Sequence, residues 1–225
     1  MFSLRKSVLV IAAIVFVASL FTDKLAEFYV DWLWFGSQGL QSVMWTVVMA
    51  QYGCSLLVGG IFFLVTFGSL RSAYRKTEHM PVVISDQLRR EMPILGFAAA
   101  NLKPLVFFVP IVLSALAGMV MLQDWDILLK GLNAAPFNQF DPIFGRDYSF
   151  YVFTLPLLEM VKSILWEIWV VVAIGMSVIY YFKRSPYAVS PWSSLLPEAR
   201  RTFSLLAALA FLIQASGYYL DRFEL

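Results

Sequence analysis

The sequence predicts an all-α integral membrane protein: one transmembrane helical domain over residues 1–225, with about five spanning helices and interfacial segments in the loops. Three observations predict it. Hydrophobic residues make up 60% of the chain and charged residues only 14%, against roughly half and about a quarter in soluble domains. Five stretches lack charge over most of the roughly 20 residues that a helix needs to cross a hydrocarbon core about 30 Å thick. Lysine and arginine crowd into alternate connections, the signature of a chain sorted across a membrane.

The first span, about residues 7–30, opens at Ser7 and is uncharged through Thr22, with aromatics continuing to Phe35. The second, about 43–70, holds no charge. The third, about 104–122, opens on Pro104, which suits a first helical turn because its missing N–H has no partner to lose there. The fourth and fifth cover about 160–182 and 203–220. Strands of an outer-membrane barrel are shorter and alternate in polarity, so length favours helices.

Orientation follows from the cations. Arg5 and Lys6, six residues from Arg71 to Lys103, and Lys183, Arg184, Arg200 and Arg201 place twelve on one side. Lys24, Lys130, Arg146 and Arg222 are the four on the other, with Lys162 at a span end. This predicts a multi-pass membrane protein with its N-terminus cytoplasmic and its C-terminus extracytoplasmic. The first span has the basic start and small-residue triplet (Val17-Ala18-Ser19) of a signal peptide, but the apolar run that resumes at Phe28-Tyr29-Val30 favours a retained anchor.

The loops are less uniform. Asp31 to Gly39 reads as an interfacial aromatic belt followed by a glycine-permitted turn, with a ligand-gripping aromatic cluster as the alternative. Between Pro81 and Pro93, Ser85 to Met92 reads as a short surface helix capped by Ser85 or Asp86, whose arginines face anionic headgroups. His79, just before it, reads as solvated. Pro186, Pro191 and Pro197 mark a kinked connector. Trp125 to Leu129 reads as the start of an interfacial helix. Asp141-Pro142 and Gly145 are turn chemistry, because proline presets φ and glycine allows positive φ. The aromatic run after Tyr148 is placed at the membrane surface, and Pro156 starts the next helix.

At these residues the sequence resembles the N-terminal membrane region of a group of large bacterial proteins known as uncharacterised protein family 0182. The resemblance rests on Asp31-x-x-Trp34-Phe35, on the stretch from Asp141 to Pro156 (with Asp141, Pro142, Phe144, Gly145, Asp147, Phe150, Tyr151 and Pro156), and on Tyr219 to Leu225. It implies several N-terminal spans followed by a large extracytoplasmic region, and it implies no particular activity. Family members continue past the position of Leu225, so the chain is either a short form or part of a longer polypeptide.

Few residues carry chemistry. Glu167, between Trp166 and Trp169, is the ionisable group inside a span, and such groups are functional candidates by default. It reads either as a carboxylate reaching the interface or as one site of an ion relay. Glu159 and Lys162 are spaced to pair on one helix face. Gln51 and Gln214 are expected to hydrogen-bond to neighbouring helices. Ser114-x-x-x-Gly118 and Gly59-Gly60 permit close helix approach, and Pro110 should kink the third span. Asp124, Asp126, Asp141 and Asp147 read as solvated loop charge, with a calcium site as the alternative. One cysteine and one histidine leave no means for a disulfide framework, a Cys-rich zinc site or bis-histidine haem. No phosphate loop, dinucleotide fingerprint or zinc-protease helix occurs.

The leading expectation is therefore a non-catalytic membrane subunit or anchor module of a larger assembly, respiratory and photosynthetic assemblies being the classes considered. Its expected partners are membrane lipids and other membrane subunits, with no nucleic acid at a net charge of +2. No cofactor is identifiable. The 20 phenylalanines, 7 tryptophans and 10 tyrosines suit lipid or pigment contacts. A transporter or channel component is the alternative, and a lipid-modifying enzyme ranks last.

Overall fold

A computed structural model describes residue 22 and residues 24–84, 86–183 and 197–223. Helices α1 (residues 24–37), α2 (Gln41–Lys76), α3 (Asp86–Glu91), α4 (Pro93–Ala100), α5 (Leu102–Leu132), α6 (Leu155–Phe182) and α7 (Pro197–Asp221) follow in order, with one π-helical turn at Phe150–Thr154. Two compact units divide within α2, between Ala50 and Gln51. Among the described residues there is no strand, only an isolated antiparallel bridge between Phe140 and Asp147.

Four helical stretches are long and apolar enough to cross a membrane: Gln41–Lys76, Leu102–Leu132, Phe150–Phe182 and Pro197–Asp221. They correspond to the second to fifth expected spans. Most of the first, residues 7–21 and 23, lies outside the described residues, as do Ser85, Pro186 and Pro191.

Two local expectations need correction. Asp31 to Phe35 is not a loop: α1 runs through residue 37, because no breaker precedes Gly36, and the turn comes at Gln38–Gly39, where Gly39 takes φ 71°. Trp125 to Leu129 is not a separate interfacial helix. Gln123 and Asp124 are compatible with a helix, so α5 continues to Leu132 and ends where the Asn133 N–H and its Nδ2 both donate to Leu129 O. At 31 residues, α5 is about 46 Å long, well beyond a roughly 30 Å hydrocarbon core. The aromatic run before Pro156 is wound into the π-helical turn. Pro156 has no N–H to return to Val152 O, and the chain adopts a wider turn in which the Leu155 N–H reaches Phe150 O.

In the first unit, Phe28 and Trp45 meet edge to face at 6.4 Å. In the second unit, α2 from Gln51 onward, α5, α6 and α7 pack in alternating directions, and the buried clusters step along the bundle. Leu70, Ala73, Val106, Ile179, Tyr180 and Ala199 close one end. Phe62, Ile168, Val172 and Leu206 fill the middle. Cys54, Val58 and Met121 follow, packed against Met160 and Ile164. Leu155, Leu220 and Phe223 close the far end. Outward side chains are apolar too, Leu56 being 75% and Phe211 77% exposed. That is the arrangement expected where the surrounding solvent is lipid.

The small-residue spacing works within the chain. Gly59 lies against Gly118 and the carbonyl of Ser114, and Ser55 Oγ donates to Gly118 O at 2.7 Å. Gln51 Nε2 donates to Leu122 O at 2.7 Å, satisfying an amide that lipid cannot. Trp169 Nε1 joins α6 to α7 through Leu206 O at 2.7 Å. Helix α5 runs on through a buried Pro110.

Candidate functional site

Two features occupy the end of the bundle where α5 finishes and α6 begins. The first is the loop from 133 to 149 with the π-turn after it. Asp141 accepts from the N–H groups of Ile143 (3.2 Å) and Phe144 (2.8 Å) and from Tyr151 Oη (2.9 Å). Pro142 presets the turn, Gly145 takes φ 62°, and its N–H donates to Asp141 O at 2.9 Å. Asp147 accepts from the N–H groups of Phe137 (3.1 Å), Asn138 (2.7 Å) and Ser149 (2.8 Å), with Asn138 at φ 59°. The Tyr148 N–H donates to Gln139 O, and the Asp141 N–H to Arg146 O. Two carboxylates thus gather backbone donors that a loop would otherwise leave unpaired.

These bonds favour the charged carboxylates. Asp147 is held at about 2, chiefly by the Ser149 N–H and then by those of Phe137 and Asn138. Asp141 is lowered chiefly by the Phe144 N–H, with Ile143 and Tyr151 adding to it. Their task is therefore to fold the loop, a role distinct from the solvated charge expected of them. Asp126 pairs instead with Lys130 along α5, at 2.7 Å.

The loop is pinned to the end of α7 by aromatic rings. Phe223, only 6% exposed, meets Phe150 at 5.0 Å, Phe144 at 5.2 Å, Tyr219 at 5.8 Å and Tyr151 at 6.3 Å. Arg146 covers the Phe150 ring at 5.2 Å, and Arg222 covers Tyr219 and Phe223 at 4.0 and 4.4 Å. Two sequence stretches about 60 residues apart, Asp141–Pro156 and Tyr219 onward, thereby form one cap. Lys162 reaches Asp221 on α7 at 3.7 Å.

The second feature is a cleft of about 340 Å³ between α2, α5 and α6, bordered by Pro156. Its polar lining is Asp124, Glu159, Ser163 and Glu167; Val58, Met121 and Ile164 are among its apolar walls. Glu159, Ser163 and Glu167 stand four residues apart, which places them along one face of α6. The spacing was available in the sequence, and Asp124 joins them only through the fold. Among the described residues, no group of three or more His, Cys, Asp or Glu is arranged to hold a metal. Gln214 is exposed on α7 and lines a separate cleft with Lys162 and Trp166 of α6 and with Asp221. His79 is exposed.

Taken together, the apolar spanning helices and the capped end define a multi-span helical domain of membrane-protein type. The chain belongs to the Uncharacterised protein family (UPF0182), whose profile matches residues 8–225. A UPF0182 protein of Saccharopolyspora erythraea is 32% identical over 222 residues, covering 96% of this chain and 22% of the relative. One from Geobacter sp. (strain M21) is 30% identical over 223 residues, covering 97% of this chain and 24% of the relative. One from Pelotomaculum thermopropionicum is 33% identical over 215 residues, covering 89% and 23%. The chain thus spans less than a quarter of the length of these relatives. No solved structure matches.

Proposed function

We propose that this chain is a non-catalytic membrane module, an anchor or subunit within a larger assembly of the bacterial cytoplasmic membrane. Its N-terminus faces the cytoplasm and its capped end the outside, in line with the distribution of lysine and arginine. The observation that carries the reading is the cap itself. Its backbone is tied down by Asp141, Asp147 and Phe223, yet it presents Ile143 at 78% and Phe140 at 64% exposure. A rigid surface showing apolar side chains favours contact with another protein surface, since little ordering entropy remains to be lost. The length of the relatives supports the same reading, as a chain four times longer has much to place on such a base.

Site-specific photocrosslinking in native membranes tests it. A crosslinker at Ile143 should yield one discrete protein adduct, or an intramolecular bond within a longer chain. One at Phe211, on the outward face of α7, should yield lipid adducts. Lipid adducts alone at Ile143 would overturn the docking role.

A second reading, a small-solute or ion transporter component, is favoured by the acidic stripe in the cleft. Cation flux into vesicles containing the protein, abolished by Glu167→Gln, would replace the first reading with this one.

A further inference from the structure

The opposite end of the second unit carries a different constellation, formed by the last turns of α2 and the first turn of α5. A cleft of about 740 Å³ is lined there by Arg71, Arg75 and Lys103, with Glu78 the single acid. Among the described residues no carboxylate lies within ion-pair distance of the three cations, although Glu78 shares their cleft. Among the described residues that line it, the cleft therefore keeps a net charge of about two positive units.

Beneath the cations lies an aromatic track. The Arg71 guanidinium sits 5.6 Å from the Phe67 ring centre. Phe67 stacks on Phe63 at 5.2 Å and meets Phe107 edge to face at 5.8 Å, and Phe107 meets Phe108 at 5.4 Å. Phe63 is one turn deeper along α2, and Phe107 and Phe108 are one turn deeper along α5 than Lys103. Phe107 and Phe108 are 47% and 59% exposed. The track thus descends from the charged rim into the apolar stretches of both helices.

We propose that this cleft is a binding site for the headgroup of an anionic phospholipid. The phosphodiester is held by Arg71, Arg75 and Lys103, and an acyl chain lies along the phenylalanine track. Three features select that occupant. The site lies at the polar ends of two spanning helices, the depth at which lipid phosphates reside. Its charge matches one or two phosphodiesters, for which arginine forks are well shaped. The track continues the site in the direction an acyl chain takes, which a soluble phosphate has no use for. Glu78 disfavours further negative charge and separates this site from an indiscriminate basic surface.

Native mass spectrometry of the detergent-solubilised protein, titrated with phosphatidylglycerol, cardiolipin or phosphatidylcholine, tests the site, with glycerol phosphate as the soluble arm. The anionic lipids should bind at one lipid per protein and phosphatidylcholine far more weakly, cardiolipin and phosphatidylglycerol being told apart by which saturates first. The triple variant Arg71→Gln/Arg75→Gln/Lys103→Gln should lose roughly 100-fold in affinity, at roughly fivefold per cation. Arg71→Lys/Arg75→Lys should keep most of it, and Phe107→Ala should weaken lipid binding further. A control triple, Lys24→Gln/Lys130→Gln/Arg201→Gln, removes the same charge outside the cleft and should bind as the parent does. Equal loss in the control triple would make the effect general electrostatics and overturn the site. Equal affinity for glycerol phosphate and for lipid would overturn the lipid assignment. If the cleft triple does not fold, the parent protein still decides: a lack of preference for anionic lipid over phosphatidylcholine at low salt refutes the proposal.

Discussion

Phe223→Ala probes the joint between the motif loop and the bundle. The ring is 6% exposed and meets four aromatic side chains, of which Phe144, Phe150 and Tyr151 belong to the loop or its π-turn. Truncating a buried phenylalanine costs about 3–5 kcal/mol. The lower figure applies here, because the cap lies at the end of the bundle and its rings can partly collapse into the gap. A loss of about 3 kcal/mol raises the population of the opened loop by roughly 100-fold. The loss stays local, since the middle cluster of Phe62, Ile168, Val172 and Leu206 is remote from the cap along every helix. Hydrogen exchange of the protein in nanodiscs reads this directly. The N–H groups of Phe137, Asn138, Phe144 and Ser149, which donate to the two carboxylates, should exchange roughly 100-fold faster in the variant, while those near Phe62 and Val172 keep their protection. Phe223→Leu should fall between. Unchanged loop protection in Phe223→Ala would show that the carboxylates hold the loop unaided and that the cap is not one unit.

Other outcomes follow from the same geometry. A Cβ at Gly59 would stand 3.1 Å from the backbone oxygen of Ser114, whereas one at Gly60 would meet nothing within 4 Å. Gly59→Ala should therefore lose about 1–3 kcal/mol and lower the thermal midpoint by roughly 2–10 °C, with Gly60→Ala unchanged; equal midpoints would refute the close α2–α5 crossing. Asp147, held at about 2, stabilises the loop fully above its ordinary value of 3.8 and loses that contribution as the pH falls through about 2. A carboxyl NMR titration should find this aspartate still ionised at pH 3, and a midpoint near 3.8 would contradict the three N–H bonds. Glu167→Gln should leave folding and the thermal midpoint intact, because the side chain is exposed in the cleft; failure to insert would make Glu167 structural.

The second to fifth spans were legible because hydropathy over 20 residues is a strong local signal, and their ends were not. Asp124, Asp126 and Lys130 stop an apolar count at Leu122, but nothing in them stops a helix, so α5 runs ten residues further. Side-chain partners divided by distance in sequence. Gln51 had to find a carbonyl on an adjacent helix, and it did. Lys162 reaches Asp221, 59 residues on, because α6 and α7 pack side by side, a contact that spacing within one helix does not reveal. In the motif loop, Asp141-Pro142 and Gly145 announced a turn. The convergence of Asp147 on the Phe137 and Asn138 amides and the gathering of rings around Phe223 required the fold. The stripe Glu159–Ser163–Glu167 was readable from spacing alone, and its partner Asp124 was not.

The central claim is that this module works inside a larger assembly. Gentle extraction from native membrane, followed by measurement of the particle's mass and its polypeptides, tests that claim most directly. The account predicts a particle far above 25.6 kDa, in which this sequence sits in fixed stoichiometry with partners or within a heavier chain. A 25.6 kDa polypeptide alone in its detergent belt would contradict it and turn attention to the acidic cleft and transport.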